Sequence, residues 1–130
     1  MVYTVLVVDD DPDDLEITRR ALAKIGCGAT CMSACRGEDA LALLRGRAEL
    51  PALILLDLKM PGMNGIDTLR NIRSDDRLKH IPVVIVTNST LDSDRNAALS
   101  AGADGFVHKE FDMDQFGRDM KSLLDRWLKD

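Results

Sequence analysis

The sequence predicts an α/β protein, a doubly wound parallel sheet of five strands with helices on both faces. Three observations carry this expectation. Residues 3–8, 52–56 and 82–87 are nearly unbroken runs of Val, Ile and Leu, which suits strands covered on both faces of a parallel sheet. Amphipathic stretches with helical spacing alternate strictly with the strand-like runs. The length of 130 residues fits one domain, which buries roughly two-thirds of its unfolded surface without disulfides or a structural metal.

The elements follow in order. Residues 3–8 form the first strand. Asp11-Pro12 then opens a helix, because an acidic cap accepts free N–H groups and proline needs no partner at the first position. Leu15, Leu22 and Ile25 give this helix one apolar stripe, with Gly26 as its stop. Residues 29–33 read as a weaker strand. Ala40, Leu41 and Leu44 form the second stripe, ended by Gly46. After the third strand, 52–56, Asn64 with Asp67 three residues on starts a helix carrying Ile66 and Leu69. The fourth strand, 82–87, leads to a helix over 91–101 ended by Gly102. Its stripe is poor, with Leu91 and Leu99 the large apolar residues. Residues 105–108 are a weaker strand, and Phe116, Met120, Leu123, Leu124 and Trp127 mark the strongest helix. The two weaker strands are expected at the sheet edges. No linker or repeat interrupts the pattern, so one domain over 1–130 with no output domain is expected.

Composition narrows the function. A net charge of −5 repels phosphate backbones and argues against direct nucleic-acid binding. No apolar run reaches the length of a membrane span, and no signal peptide precedes the first strand. A cytoplasmic protein without membrane contact is expected. Cys27, Cys31 and Cys35 are then thiols. Their four-residue spacing lacks the shorter gaps of zinc sites, so they are read as small apolar filler.

Sheets of this class bind ligands beyond the carboxyl ends of their strands. There the first strand offers Asp9-Asp10-Asp11, the third Asp57, the fourth Thr87-Asn88-Ser89 and the fifth His108-Lys109-Glu110. Each has a plain reading by itself, as helix cap, turn residue or solvated charge. Together they would place several carboxylates, a hydroxyl and an ammonium at one sheet edge. Crowded carboxylates raise one another's pKa, and a hard divalent cation resolves the conflict. A carboxylate can also attack phosphorus to form an acyl phosphate, a reaction that needs mainly positioning and charge neutralisation. His80 and His108 are read as structural or solvated, and Met60 and Met63 as loop and core filler.

The segments VLVVDDDPDD, LILLDLKMPGMNG, IPVVIVTNS and AGADGFVHKEF resemble the bacterial response-regulator receiver family over nearly the whole chain. RLKHIPVV, FDMDQF and the closing Trp-Leu further resemble stand-alone receivers that partner phytochrome kinases. The resemblance implies a flavodoxin-like (βα)5 three-layer sandwich with strand order 2-1-3-4-5. It implies that Asp57 is the phosphoacceptor, that Asp9, Asp10, Asp57 and the backbone carbonyl of Lys59 hold Mg²⁺ or Mn²⁺, and that Thr87 and Lys109 contact the phosphoryl group. Phe106 takes the place of the switch aromatic, and Pro61 and Gly65 shape the loop after the third strand. The implied donor is a histidine kinase. The implied readout is a downstream protein target, a histidine phosphotransfer protein or a homodimer, through the face made by the fourth helix, fifth strand and fifth helix.

The sequence departs from the family pattern at three places. Asn88 stands where a small residue is usual, Phe106 lacks a phenolic hydroxyl, and Glu110 replaces a proline whose peptide bond is cis. A trans 109–110 bond with a displaced loop is therefore expected, since a cis bond before a non-proline residue costs about 2.5–4 kcal/mol. Three rivals are set aside. A haloacid-dehalogenase-like phosphatase needs a second Asp where Lys59 stands. A nucleotide-binding module needs a glycine-rich loop after the first strand. A degenerate receiver would not keep Asp10, Asp57, Thr87 and Lys109 intact.

Overall fold

The computed structural model describes residues 4–25, 30–58, 63–109 and 112–127, with the side chains of Ile25 and Met113 left aside. The elements are β1 (Thr4–Val8), α1 (Pro12–Ile25), β2 (Thr30–Ala34), α2 (Gly37–Arg45), β3 (Leu53–Leu56), α3 (Gly65–Ser74), β4 (Val83–Thr87), α4 (Asp92–Ser100), β5 (Gly105–His108) and α5 (Met113–Trp127). All strand pairs are parallel and the order is β2-β1-β3-β4-β5. Chain direction across the sheet therefore reverses at β1, with β2 on one side and β3 on the other. The weaker strands lie at the edges as expected. Each is only partly buried, whereas β3 and β4 are buried at every position.

The two-residue period of the strands sorts their side chains into two cores. Leu6, Val8, Ile54, Leu56, Val83 and Ile85 face Ala40, Leu41 and Leu44 of α2, Leu69 and Ile72 of α3 and Ala98 of α4. Val5, Val7, Leu53, Leu55, Val84 and Val86 face Ala21 and Leu22 of α1 and Phe116, Met120, Leu123 and Leu124 of α5. The result is the expected three-layer sandwich. Burial of a large aliphatic or aromatic side chain contributes about 1.5–3 kcal/mol, so these faces dominate the stability.

Helix starts follow the local chemistry. Asp11 accepts the N–H of Asp13 at 2.9 Å ahead of α1, and Asn64 accepts that of Asp67 at 2.9 Å ahead of α3. Gly102 adopts φ +105°, the left-handed turn that ends the region after α4. Arg73, at the end of α3, ties that turn to the rest of the fold. Its guanidinium donates to the carbonyls of Gly102 (3.0 Å), Lys79 (3.0 Å) and Ile81 (2.8 Å) and to the Asp104 carboxylate (2.7 Å).

Two expectations are corrected. The 91–101 stripe does not pack: α4 spans Asp92–Ser100, its one buried residue is Ala98, and Leu91 and Leu99 are 56% and 44% exposed. Cys35 is exposed and so fills no core, although Cys31 packs half-buried against the α1–α5 core. Trp127 packs half-buried on that same core, with the Arg126 guanidinium 5.2 Å from its ring centroid. Tyr3, Gly26, Cys27, Ala29, Lys59, Met60, Pro61, Glu110, Phe111 and Leu128 lie outside the described residues, and with them the 109–110 peptide bond. Among the described residues no helix is long and apolar enough to cross a membrane.

Candidate functional site

Strand parity delivers the site. Counted in steps of two from Val5 and Val7, Asp9 falls on the α1–α5 side of the sheet. Asp57 follows Leu53 and Leu55, and Lys109 follows Val107, on that same side. Thr87 follows Val83 and Ile85 onto the opposite side, toward α4. Backbone bonds fix the strand ends: Asp9 N–H donates to Ala34 at 3.0 Å, Asp57 N–H to Val8 at 2.9 Å and Lys109 N–H to Thr87 at 2.7 Å. The site thus forms at the carboxyl ends of β1 and β3, where strand order reverses.

Asp9 and Asp57 are 3% and 8% exposed, while Asp10 faces solvent. One carboxylate oxygen from each lies within 4.8 Å of the others. The Lys109 ammonium reaches Asp9 at 2.8 Å, Asp14 at 3.1 Å and Asp57 at 3.7 Å. Its stem crosses from β5 over β4 and β3, which explains contact with residues about a hundred positions earlier.

The electrostatics follow from burial. Asp57 is pushed up from 3.8 to about 6. Desolvation is the main cause; the Lys109 charge opposes it, Asp9 reinforces it, the Leu58 N–H opposes it and Asp10 reinforces it. Burial by itself would lower the Lys109 pKa. The Asp9 hydrogen bond, the charges of Asp57 and Asp9 and the Asp14 hydrogen bond outweigh it, so Lys109 stays firmly cationic.

Three carboxylates, Asp9, Asp14 and Asp57, thus face one ammonium, with the Asp10 carboxylate beside Asp9 and Asp57, leaving an excess of negative charge. Asp9, Asp10 and Asp57 form an oxygen-only cluster that is buried behind and open in front at Asp10. That donor set fits a hard divalent cation with oxygen ligands and exchangeable waters. Lys59, whose carbonyl the sequence assigned to the same cation, and Pro61 lie outside the described residues.

Gly65 shows why the loop after β3 demands glycine. A Cβ there would sit 2.3 Å from the Asp57 carbonyl oxygen and 2.7 Å from the Leu58 Cα, while the Gly65 N–H donates to the Leu58 carbonyl at 2.8 Å. The start of α3 presses directly on the backbone that carries Asp57.

On the other side of the sheet Thr87 is fully buried, and its hydroxyl oxygen accepts the Ser89 N–H at 3.2 Å. The Ser89 hydroxyl donates to Asp94 in the first turn of α4 at 2.5 Å. Asn88 is exposed, and its carbonyl lies 3.2 Å from His108 Nε2. Phe106 is half-buried against the α2–α4 core. The structure therefore brings Asp9, Asp10, Asp57 and Lys109 together, and places Thr87 and Phe106 apart from them, on the α2–α4 side of the sheet. Sequence reasoning missed Asp14 and the Ser89–Asp94 pair. The signal for Asp14 was its spacing: it stands one helical turn after Asp10, on a helix that starts at the site.

A doubly wound sheet with carboxylates and one ammonium gathered at its switch point defines a receiver-type signalling domain. The chain belongs to the response regulator receiver domain family, whose model matches residues 5–120. It is 34% identical over 123 residues to the chemotaxis protein CheY of Pseudomonas aeruginosa, covering 94% of this chain and 96% of that protein. It spans about half the length of several other curated relatives. Among solved structures it resembles the phosphorylated cyanobacterial phytochrome response regulator RcpA, with a TM-score of 0.91 at 28% identity over 99% of this chain and 96% of that one. It also resembles the manganese-bound form of response regulator Rcp1, with a TM-score of 0.86 at 25% identity over 98% and 95% of the two chains.

Proposed function

We propose that Asp57 accepts a phosphoryl group from the phosphohistidine of a histidine kinase, and that the protein acts as a cytoplasmic two-component switch. The observation that carries this reading is a buried carboxylate, Asp57, with the Lys109 ammonium 3.7 Å away and two further carboxylates beside it. One Asp57 oxygen attacks phosphorus, the bond from phosphorus to the donor imidazole nitrogen breaks, and the imidazole leaves with a proton. Lys109 then donates an N–H to a phosphoryl oxygen. Thr87 gives up the Ser89 N–H and turns its hydroxyl to another. Asp9, Asp10 and Asp57, with the carbonyl of Lys59, would hold Mg²⁺ or Mn²⁺. The ion would neutralise charge on the transferring oxygens.

The readout proposed is the face of α4, β5 and α5, where Leu91 and Leu99 are exposed and Phe106 is half-buried beneath. Its occupant would be a protein target, a histidine phosphotransfer protein or a second copy of the chain. Incubation with labelled acetyl phosphate and Mg²⁺ tests the chemistry. Wild type should incorporate label, and Asp57→Asn or a chelator should abolish it. Undiminished labelling of Asp57→Asn would refute the assignment.

A further inference from the structure

We infer that Asp14 is a positioning residue that holds the Lys109 ammonium toward the phosphoryl site independently of the metal. The inference rests on the reading of Asp57 as phosphoacceptor and adds a residue to it. An ammonium has three N–H donors. In the structure one goes to Asp9 at 2.8 Å and one to Asp14 at 3.1 Å, which leaves the third facing Asp57 at 3.7 Å, beyond hydrogen-bond range. A phosphoryl oxygen on Asp57 would extend into that gap.

The two anchors differ in one respect. Asp9 belongs to the cluster of three carboxylates that fits a divalent cation; Asp14 does not. A cation held by Asp9 would compete with the lysine for that carboxylate, whereas Asp14 would remain its partner. Asp14 is well placed for the task. It sits in the first turn of α1, whose start is fixed by the Asp11 cap. Its side chain is 30% exposed against 13% for Lys109, so it keeps part of its hydration while pairing with a largely buried charge. A four-carbon lysine stem has many rotamers, and a second fixed partner removes most of them before the phosphoryl group arrives.

A double-mutant cycle tests this. Labelling rates with acetyl phosphate and Mg²⁺ are measured for wild type, Asp14→Ala, Lys109→Met and the double variant. Mg²⁺ affinity is measured by calorimetry on the same proteins. Asp14→Ala should slow labelling about tenfold, as loss of an orienting partner commonly does, and should leave Mg²⁺ affinity within about twofold. In the Lys109→Met background the same substitution should have no effect, and Asp14→Asn, which keeps an acceptor, should fall between wild type and Asp14→Ala. Equal slowing in both backgrounds would overturn the inference, because Asp14 would then act without the lysine. Faster labelling of Asp14→Ala would also overturn it, because Asp14 would then act only by repelling the donor. Full labelling of Asp57→Asn would instead defeat the phosphoacceptor reading, a result that is separable from either.

Discussion

Without metal, Asp57 should destabilise its own protein at neutral pH, and Asp57→Asn should raise the melting temperature. The folded-state carboxyl titrates near 6 against 3.8 unperturbed, chiefly because it is buried. At 1.36 kcal/mol per tenfold change in proton affinity, ionising it in the fold costs about 3 kcal/mol. Asparagine has nearly the same shape and no charge, and Lys109 keeps Asp9 and Asp14 as partners. A gain of about 1–3 kcal/mol follows, or roughly 4–12 °C for a chain of this size. The raised pKa also sets the pH window. The folded state holds this proton more tightly than the unfolded one, so the stabilising term is fully present below about 4 and is lost as pH rises to about 6. The two proteins should therefore melt together near pH 4 and diverge by pH 7. Mg²⁺ should narrow the gap by stabilising wild type, by about 2.7 kcal/mol at a hundred times its Kd, more than a variant that has lost one carboxylate ligand. The assay is thermal unfolding followed by circular dichroism at pH 4.5 and 7.5, in chelator and in Mg²⁺. An Asn variant that melts at or below wild type at pH 7.5 in chelator would refute the reasoning, as would a difference that does not change with pH.

Gly65→Ala should cost about 3 kcal/mol, the upper range for overpacking, since its Cβ would meet the Asp57 carbonyl at 2.3 Å; urea unfolding checks this, and an unchanged midpoint would show that the loop gives way freely. Amides of α4 should exchange with solvent faster than those of β1 and β4, because α4 buries only Ala98 and has no side-chain cap; equal protection would count against a soft α4.

The fold was legible because alternation and parity are local properties of the sequence. Runs such as 82–87 suit buried strands, and the polar residues that follow them mark the sheet edge where the site forms. What was not legible depends on distant packing. Asp14 meets a lysine 95 residues later in the chain; its spacing from Asp10 places it near the site, but nothing in α1 names the lysine as its partner. Arg73 binds three backbone carbonyls, partners that carry no residue identity. Leu91 and Leu99 have helix-compatible spacing, yet face outward, because α4 touches its core through alanine alone. Cys35 follows the half-buried edge strand β2 into solvent, where apolar character predicts nothing.

The distribution of packing around the site determines which part of the molecule yields to a charge added at Asp57. Asp57 stands at the end of β3, whose neighbours β1 and β4 are buried almost throughout, and Gly65 braces its backbone from behind. A close-packed interior of this kind shifts little under load. Across the sheet the support is weaker: β5 is half-buried along its length and α4 rests on one alanine. The connection between the two regions is a short polar chain, in which Thr87 takes the Ser89 N–H and Ser89 holds Asp94 at the start of α4. Each such bond contributes only about 0.5–1.5 kcal/mol net, somewhat more for the one to the Asp94 carboxylate. On the proposed function, a phosphoryl oxygen that claimed the Thr87 hydroxyl would take the Ser89 N–H from its acceptor and loosen the grip on the first turn of α4. Exposed Leu91 stands at the N-cap of that helix and exposed Leu99 in its last turn, so on the proposed readout a shift of α4 would rearrange the apolar surface there.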